Sequence, residues 1–269
     1  VRGRTTRILT HRYGPGSPLR RSPDEVIVEE PMSIHVDGTL VATTMRTPGD
    51  DFELAVGYCH TEGLLDGVPV RRCRYCGTGS AVESEFNAVT VDTGGRAPTP
   101  TPRLTPTTSA CGICGSRSLE ELRHRLEPLV DVPPYPPEVL ARAVEKASVE
   151  QPLFAATGGV HAAAAFDGSA TALVVREDIG RHNAVDKVVG RLLLDDALPA
   201  TDLGLFVSGR ASFEMVQKAW AAGFAALVAV SAPSSLAVET ARTAGLTLAG
   251  FVRDGHLNLY TRAAPGPGR

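Results

Sequence analysis

The sequence predicts an α/β protein: a smaller α+β unit over about residues 26–145, then an α/β unit over 146–262 with a mostly parallel sheet. Three observations carry this. A period-two apolar pattern runs through Met32, Ile34 and Val36 to Asp37-Gly38, with a return over 40–45, the mark of a hairpin. In the second half, short apolar runs at 203–207, 226–230 and 246–251 alternate with helical segments at 213–222 and 236–243. Such alternation with short links implies right-handed crossovers and a helix-covered parallel sheet. Finally, 269 residues at 43% hydrophobic content can bury a large core, and the prolines at 133, 134, 136 and 137 mark a boundary near 130–150.

The first 25 residues hold Arg2, Arg4, Arg7, Arg12, Arg20 and Arg21 with little apolar pattern, and read as a basic flexible tail; residues 263–269 read as a second tail. Asp50 with Glu53 forms a capping-box pattern for a helix over 53–64. Cys59 shares a helix face with Ala55, so a packing role is expected. A strand follows at 86–91. Residues 93–108, rich in Pro, Gly and Thr, lack periodicity and read as a mobile linker to the cysteine loop. Ser118 with Glu121 signals a helix to about 126, where Glu127-Pro128 ends it. Further helices are expected at 138–148 and 183–194. Strands are expected at 161–166 and 170–175, joined at Asp167-Gly168.

A formal charge of −3 argues against general nucleic-acid binding, and no apolar run reaches the roughly 18 residues a spanning helix needs. No apolar signal core stands near the N-terminus, so the expected compartment is the cytoplasm. Five cysteines, four of them in two Cys-x-x-Cys pairs, then point to metal, redox or sulfur chemistry rather than disulfide stapling.

In Cys111-Gly112-Ile113-Cys114-Gly115 a glycine follows each cysteine, freeing the backbone so that the sulfurs can approach a partner. An ordinary thiol near pKa ~8.5 is only slightly ionised at neutral pH, whereas a Cys-x-x-Cys thiol tuned to about 7 is half thiolate. Three readings stand. A dithiol redox centre would usually open a helix directly after a strand. A zinc site would pair Cys111 and Cys114 with Cys73 and Cys76, although the 34-residue gap is long for a zinc ribbon. A sulfur relay, the favoured reading, would put the terminal sulfur on Cys111 with Cys114 assisting or accepting it. Cys73 and Cys76, set among Arg71, Arg72 and Arg74, read as a second structural pair or an auxiliary relay.

Ser208-Gly209-Arg210 and residues 231–235 each lie between an apolar strand and a helix, where free N–H groups and the helix dipole suit phosphate. Serine there is also a common helix cap. Neither segment matches a P-loop or a Rossmann fingerprint. Residues 176–183 crowd Glu177, Asp178, Arg181 and His182 into one turn, as a helix cap or, favoured, a cofactor or partner contact. His161 at a strand start reads as structural.

Taken in order, Glu30-Pro31, Met45-Arg46-Thr47-Pro48-Gly49-Asp50, Gly57-Tyr58, Glu62-Gly63, the Cys111 loop and Gly158-Gly159-Val160-His161 resemble the FdhD family of formate dehydrogenase accessory sulfurtransferases. EDIGRHNAVDK at 177–187, the run from Ser208 to Met215 and Gly250-Phe251 complete the match, which spans about 26–262. The resemblance implies that sulfur passes from a cysteine desulfurase to Cys111, then to the molybdenum bis(molybdopterin guanine dinucleotide) cofactor, which enters formate dehydrogenase. It places the cofactor against Phe251, Val252, Arg253, Asp254, Gly255 and His256, and the loop readings above add Ser208, Gly209, Arg210 and His182 as further contacts. A GDP-like moiety would suit that site. It also implies a cytidine-deaminase-like second domain and a homodimer; charge and hydropathy add the expectation of no nucleic-acid or membrane partner, and no metal site is expected. Zinc deaminase chemistry is not expected, because His161-Ala162-Ala163 lacks the required glutamate and no cysteine follows Cys114.

Overall fold

A computed structural model of the chain describes residues 3–75, 85–99 and 119–262. It begins with a two-stranded ribbon, β1 (Thr5–Gly14) and β2 (Ser17–Ile27). Four strands then form a second sheet, β3 (Glu30–Val36), β4 (Thr39–Arg46), β5 (Arg72–Tyr75) and β6 (Ala88–Asp92), in the order β4-β3-β6-β5. Met32, Ile34 and Val36 turn one face of β3 inward, and Asp37 and Gly38 take the positive φ values, 48° and 89°, that a tight hairpin turn requires. Helix α1 (Asp51–Thr61) covers this sheet with Leu54, Ala55 and Cys59 in its core.

The chain continues through α2 (Leu119–Arg125), α3 (Pro137–Val149) and α4 (Pro152–Thr157). The second sheet-and-helix unit contains β7 (His161–Phe166), β8 (Ala172–Asp178), α5 (Arg181–Leu194), β9 (Gly204–Val207), α6 (Phe213–Ala221), β10 (Ala226–Ala229), α7 (Ser235–Ala244), β11 (Thr247–Arg253) and β12 (His256–Thr261). Its six strands run β12-β11-β10-β9-β7-β8. The central β9, β10 and β11 are parallel; β7 and β12 flank them antiparallel, and β8 pairs antiparallel with β7 at the outer edge. Side chains of α3 pack on one face, against Ala162, Ala164, Phe206 and Val228. Helices α5, α6 and α7 cover the other, against Ala163, Ala165, Leu205 and Leu248. A sheet buried on both faces explains why its parallel strands read as unbroken apolar runs.

Three expectations are corrected. Over its described residues the 1–25 segment is not a tail, because Arg4 pairs with Asp50, Thr5 pairs with Ile27 and the ladder continues to a turn at Gly14. Helix α3, assigned by sequence to the first unit, belongs to the second, since Leu140, Ala143 and Ala147 pack beneath β7, β9 and β10. The capping box at Asp50 and Glu53 does not form: Asp50 is left-handed at φ 56° and makes no cap hydrogen bond. Both carboxylates serve distant arginines instead, Asp50 taking Arg4 at 3.0 Å and Glu53 taking Arg176 at 2.5 Å.

The units meet where α1 crosses α5. A Cβ on Gly57 would lie 1.8 Å from the Asp186 carbonyl oxygen, and one on Gly190 would lie 1.8 Å from that of Glu53. Two glycines thus let the helix backbones touch, which any side chain would forbid. Among the described residues no helix is long and apolar enough to cross a membrane.

Candidate functional site

The carboxyl ends of β9, β10 and β11 share one sheet edge, and the loops leaving them are stitched together by backbone hydrogen bonds. Ser231 N–H donates to the Gly209 oxygen at 3.3 Å, Ser234 N–H to Ala211 at 3.1 Å, and Phe251 N–H to Ser231 at 3.2 Å. Close approach demands glycine at 250, where a Cβ would sit 3.0 Å from the Ser231 oxygen. The edge brings Ser208, Gly209 and Arg210 together with the β11–β12 hairpin that carries Phe251, Val252, Arg253, Asp254, Gly255 and His256. Those two groups lie 42 residues apart in sequence (209 to 251) but only two strands apart in the sheet.

Within the hairpin the side chains divide by role. Val252 is buried and anchors the turn, while Arg253, Asp254 and His256 project into solvent. Phe251 is half exposed and held at φ 53°, a conformation costly for a residue with a Cβ. Asp254 and Gly255 take φ 50° and 74° to close the turn.

Antiparallel β7 begins at the same edge, so His161 lies beside Ser208, its Nδ1 3.4 Å from the hydroxyl. That hydroxyl accepts the Ala162 N–H at 2.9 Å and ties β7 to the end of β9. Burial, followed by the nearby Arg181 guanidinium, lowers the His161 pKa, keeping the ring neutral at neutral pH. Gly209 lies under both side chains: a Cβ there would be 3.6 Å from His161 and 3.8 Å from Arg181. The N-termini of α5, α6 and α7 all point to this edge, and Arg181, exposed Arg210 and Arg253 add positive charge. The arrangement suits an extended anion with several phosphates. The Arg181 Nε is buried and has no hydrogen-bond partner among the described residues, a donor available to such an anion.

His182 stands one residue into α5, beside Arg181 and near Glu214 in the first turn of α6. Burial, then Lys218 and Arg181, push its pKa down to about 4, partly opposed by Glu214 and Glu62. Unfolded, the ring protonates near pH ~6.5; folded, it resists until about pH 4. Its contribution is therefore complete above the unfolded value and lost as pH falls through that window. Between pH 7 and pH 4.5 the native chain should lose about 2 kcal/mol more denaturation stability than a His182→Gln variant. Equal losses in parallel urea titrations would remove His182 as the cause.

Behind His182 lies a buried polar joint that the sequence did not disclose. The Lys218 ammonium donates to both Asp186 oxygens at 2.8 and 2.9 Å and to the Thr61 hydroxyl at 2.9 Å. Burial pushes Asp186 up to about 6 against the pull of Lys218. Burial opposes the Lys218 charge, but Asp186 and Glu62 hold its pKa above the usual lysine value. The charge expected to meet a ligand at 176–178 is likewise turned inward. Glu177 accepts the Leu153 and Phe154 N–H groups at 2.9 and 2.7 Å, capping α4. Asp178, fully buried, pairs with Lys187 at 2.8 Å and accepts the Thr47 N–H at 3.2 Å. Of the charged residues of that turn, Arg181 stays beside the edge, near Gly209. The favoured contact role for Glu177 and Asp178 is corrected on that ground.

Cys76, Cys111 and Cys114, with the linker over 100–118 and the Ser118 cap, lie outside the described residues. Cys59 is fully buried, with its thiol pKa raised by burial, as a packing cysteine should be. Cys73 pairs across to Val91 and packs against the first core; burial pushes it up to about 11, far from a reactive thiolate.

The FdhD/NarQ family model matches residues 27–265. This chain belongs to the FdhD/NarQ family. Its FdhD relatives include proteins named sulfur carrier protein FdhD in Mycolicibacterium paratuberculosis, 47% identical over 264 residues and covering 96% of each chain. Another, in Streptomyces coelicolor, is 47% identical over 262 residues, covering 91% of this chain and 93% of that one. A solved structure from Desulfotalea psychrophila, described as a formate dehydrogenase accessory protein, shares the fold at TM-score 0.73 and 23% identity, covering 98% of both chains.

Proposed function

We propose that this FdhD family member is a sulfurtransferase that takes persulfide sulfur from a cysteine desulfurase onto Cys111 and passes it to the molybdenum bis(guanine dinucleotide) cofactor, as substrate, for formate dehydrogenase. The observation that carries the cofactor half is the shared edge of β9, β10 and β11. It joins two distant sequence segments, three helix N-termini and Arg181, Arg210 and Arg253 in one place. The names of the relatives and the glycine-flanked Cys-x-x-Cys loop support the sulfur half.

In the first step a Cys111 thiolate attacks the terminal sulfur of a donor persulfide. The donor S–S bond breaks, its thiolate leaves, and a persulfide forms on Cys111 with oxidation state conserved. Cys114 assists or accepts. At the edge, the helix N-termini and arginines hold the guanine dinucleotide phosphates, neutral His161 and backbone N–H groups supply further donors, and Phe251 offers a face for a flat ring. The fitting setting is a reducing cytoplasm, where the thiols stay free.

GDP is the simplest probe of that edge. Calorimetric titration should detect binding by the native chain, weakened about 10-fold or more by Arg181→Ala and by Arg210→Ala, since each removes a charge-assisted contact. Absent binding, or binding indifferent to both variants, would remove the edge from the mechanism.

A further inference from the structure

An apolar hollow lies apart from the cofactor edge, on the seam between the two units. Its volume is about 320 Å³. Leu65, Val68 and Val70 line it from the loop after α1, and Leu193, Leu198 and Pro199 from the end of α5 and the turn beyond. Gly67, Pro69 and Pro199 in its wall are exposed, so it opens to solvent. Backbone hydrogen bonds fix those walls. Val68 N–H donates to the Leu65 oxygen at 2.8 Å, Ala197 N–H to Leu192 at 2.8 Å, and Asp196 N–H to Leu193 at 3.2 Å. A hollow formed in advance asks little ordering of what enters it. The lining holds one polar side chain, His60, and its Nε2–H already donates to the Ala221 oxygen at 3.0 Å. Burial lowers the His60 pKa against the pull of that bond, so the ring adds no charge at neutral pH. Small-molecule sites fix their ligands with several convergent polar groups. An apolar wall with its one polar group engaged instead fits the buried anchor side chain of a protein partner.

The place of the cavity in the fold selects that partner. Arg125, the last residue of α2, donates to the Thr61 and Glu62 oxygens at 3.1 and 2.7 Å, on the stretch between lining residues His60 and Leu65. Helix α2 begins at Leu119, five residues after Cys114. Extended chain spans at most ~3.5 Å per residue, so covalent geometry alone keeps Cys111 within ~28 Å of Leu119. A standard interface patch of ~800 Å² a side is itself about 30 Å across. The cofactor edge stands at the other end of the same helices. Helix α5 runs from Arg181 at the edge to Leu193 in the cavity wall, about 18 Å along its axis, and α6 likewise from Phe213 to Ala221. A body seated on the cavity therefore lies beside the helix that follows the cysteines and leaves the edge open. We propose that this cavity receives an apolar anchor side chain of the sulfur donor, a cysteine desulfurase, and so docks the donor within reach of Cys111. The inference rests on the reading of Cys111 as the acceptor of sulfur.

The test loads the full chain from two sulfur donors and follows the added mass. One donor is a cysteine desulfurase with cysteine. The other is inorganic polysulfide, too small to need docking; the Cys111 thiolate takes its terminal sulfur, the S–S bond breaks, and a shortened polysulfide leaves. Val68 lines the cavity and is partly exposed. Val68→Asp sets a charge in the hollow, and Val68→Trp fills it. Each should raise the desulfurase concentration needed for half-maximal loading about 10-fold or more and leave polysulfide loading unchanged. Undiminished desulfurase loading in either variant would overturn the proposal. A parallel loss with both donors would also overturn it, because the cavity would then serve the chain's own fold. A native chain loaded by polysulfide but not by the desulfurase would sink the docking site and leave Cys111 a carrier. A native chain loaded by neither donor would remove the sulfur reading, and the docking site with it.

Discussion

Cys111→Ala is expected to abolish maturation of formate dehydrogenase in cells that lack their own accessory protein, lowering formate oxidation roughly 100-fold or more, to the level without any accessory gene. The size of the effect follows from chemistry. Sulfur transfer needs a sulfur nucleophile, and neither of the two described cysteines can replace Cys111: Cys59 is sealed in the core and Cys73 is held up at about 11. Cys111→Ser should fail equally, because a hydroxyl is not ionised at neutral pH and forms no persulfide. Cys114→Ala should retain part of the activity, since a carrier without its helper still accepts sulfur. Normal formate oxidation with Cys111→Ala would place the transferred sulfur elsewhere.

The largest expected loss of stability comes from Lys187→Met. Lys187 and Asp178 are both fully buried and meet at 2.8 Å, with the ammonium also donating to the Thr47 oxygen at 3.1 Å. Removing the lysine leaves a carboxylate without its counter-charge, which costs about 3–5 kcal/mol. Methionine matches the stem, so lost packing contributes little. Because Asp178 also receives the Thr47 N–H, the damage falls on the joint between the units. The paired change Asp178→Asn with Lys187→Met should recover much of the loss, since no charge is then stranded. A single Lys187→Met variant as stable as the native chain toward urea would contradict the geometry.

What the sequence disclosed and what it hid divide along one line. Elements with a buried face announced themselves: Met32, Ile34 and Val36 alternate because one side of β3 meets α1, and the runs at β9, β10 and β11 are apolar because helices cover both faces. The β1–β2 ribbon was missed because it buries almost nothing, so Arg, Thr, Ser and Pro fill its positions without a period. β12 went unseen because Asp254-Gly255 read as part of a binding loop rather than as a hairpin turn. The acids misled for another reason. Asp50, Glu53, Glu177 and Asp178 each look like caps or ligand contacts by local spacing, whereas their partners, Arg4, Arg176, Leu153 and Lys187, are set by tertiary structure. For the candidate site, the loops at 208–210 and 251–256 were legible from strand–turn–helix patterning and from the family resemblance. The neighbourhood of His161 and Arg181 emerged only once antiparallel β7 was seen to start at the same edge. A warning in the sequence was Asp186-Lys187 set between Ala184-Val185 and Val188-Val189, charge amid burial that calls for partners.

Intact mass spectrometry after incubation with a cysteine desulfurase and cysteine tests the sulfur-carrying role most directly. The account predicts a gain of one sulfur atom per chain, reversed by a thiol reductant, mapped by peptide analysis to Cys111 and absent from Cys111→Ala. A native chain that gains no sulfur, or gains it undiminished in Cys111→Ala, would contradict it.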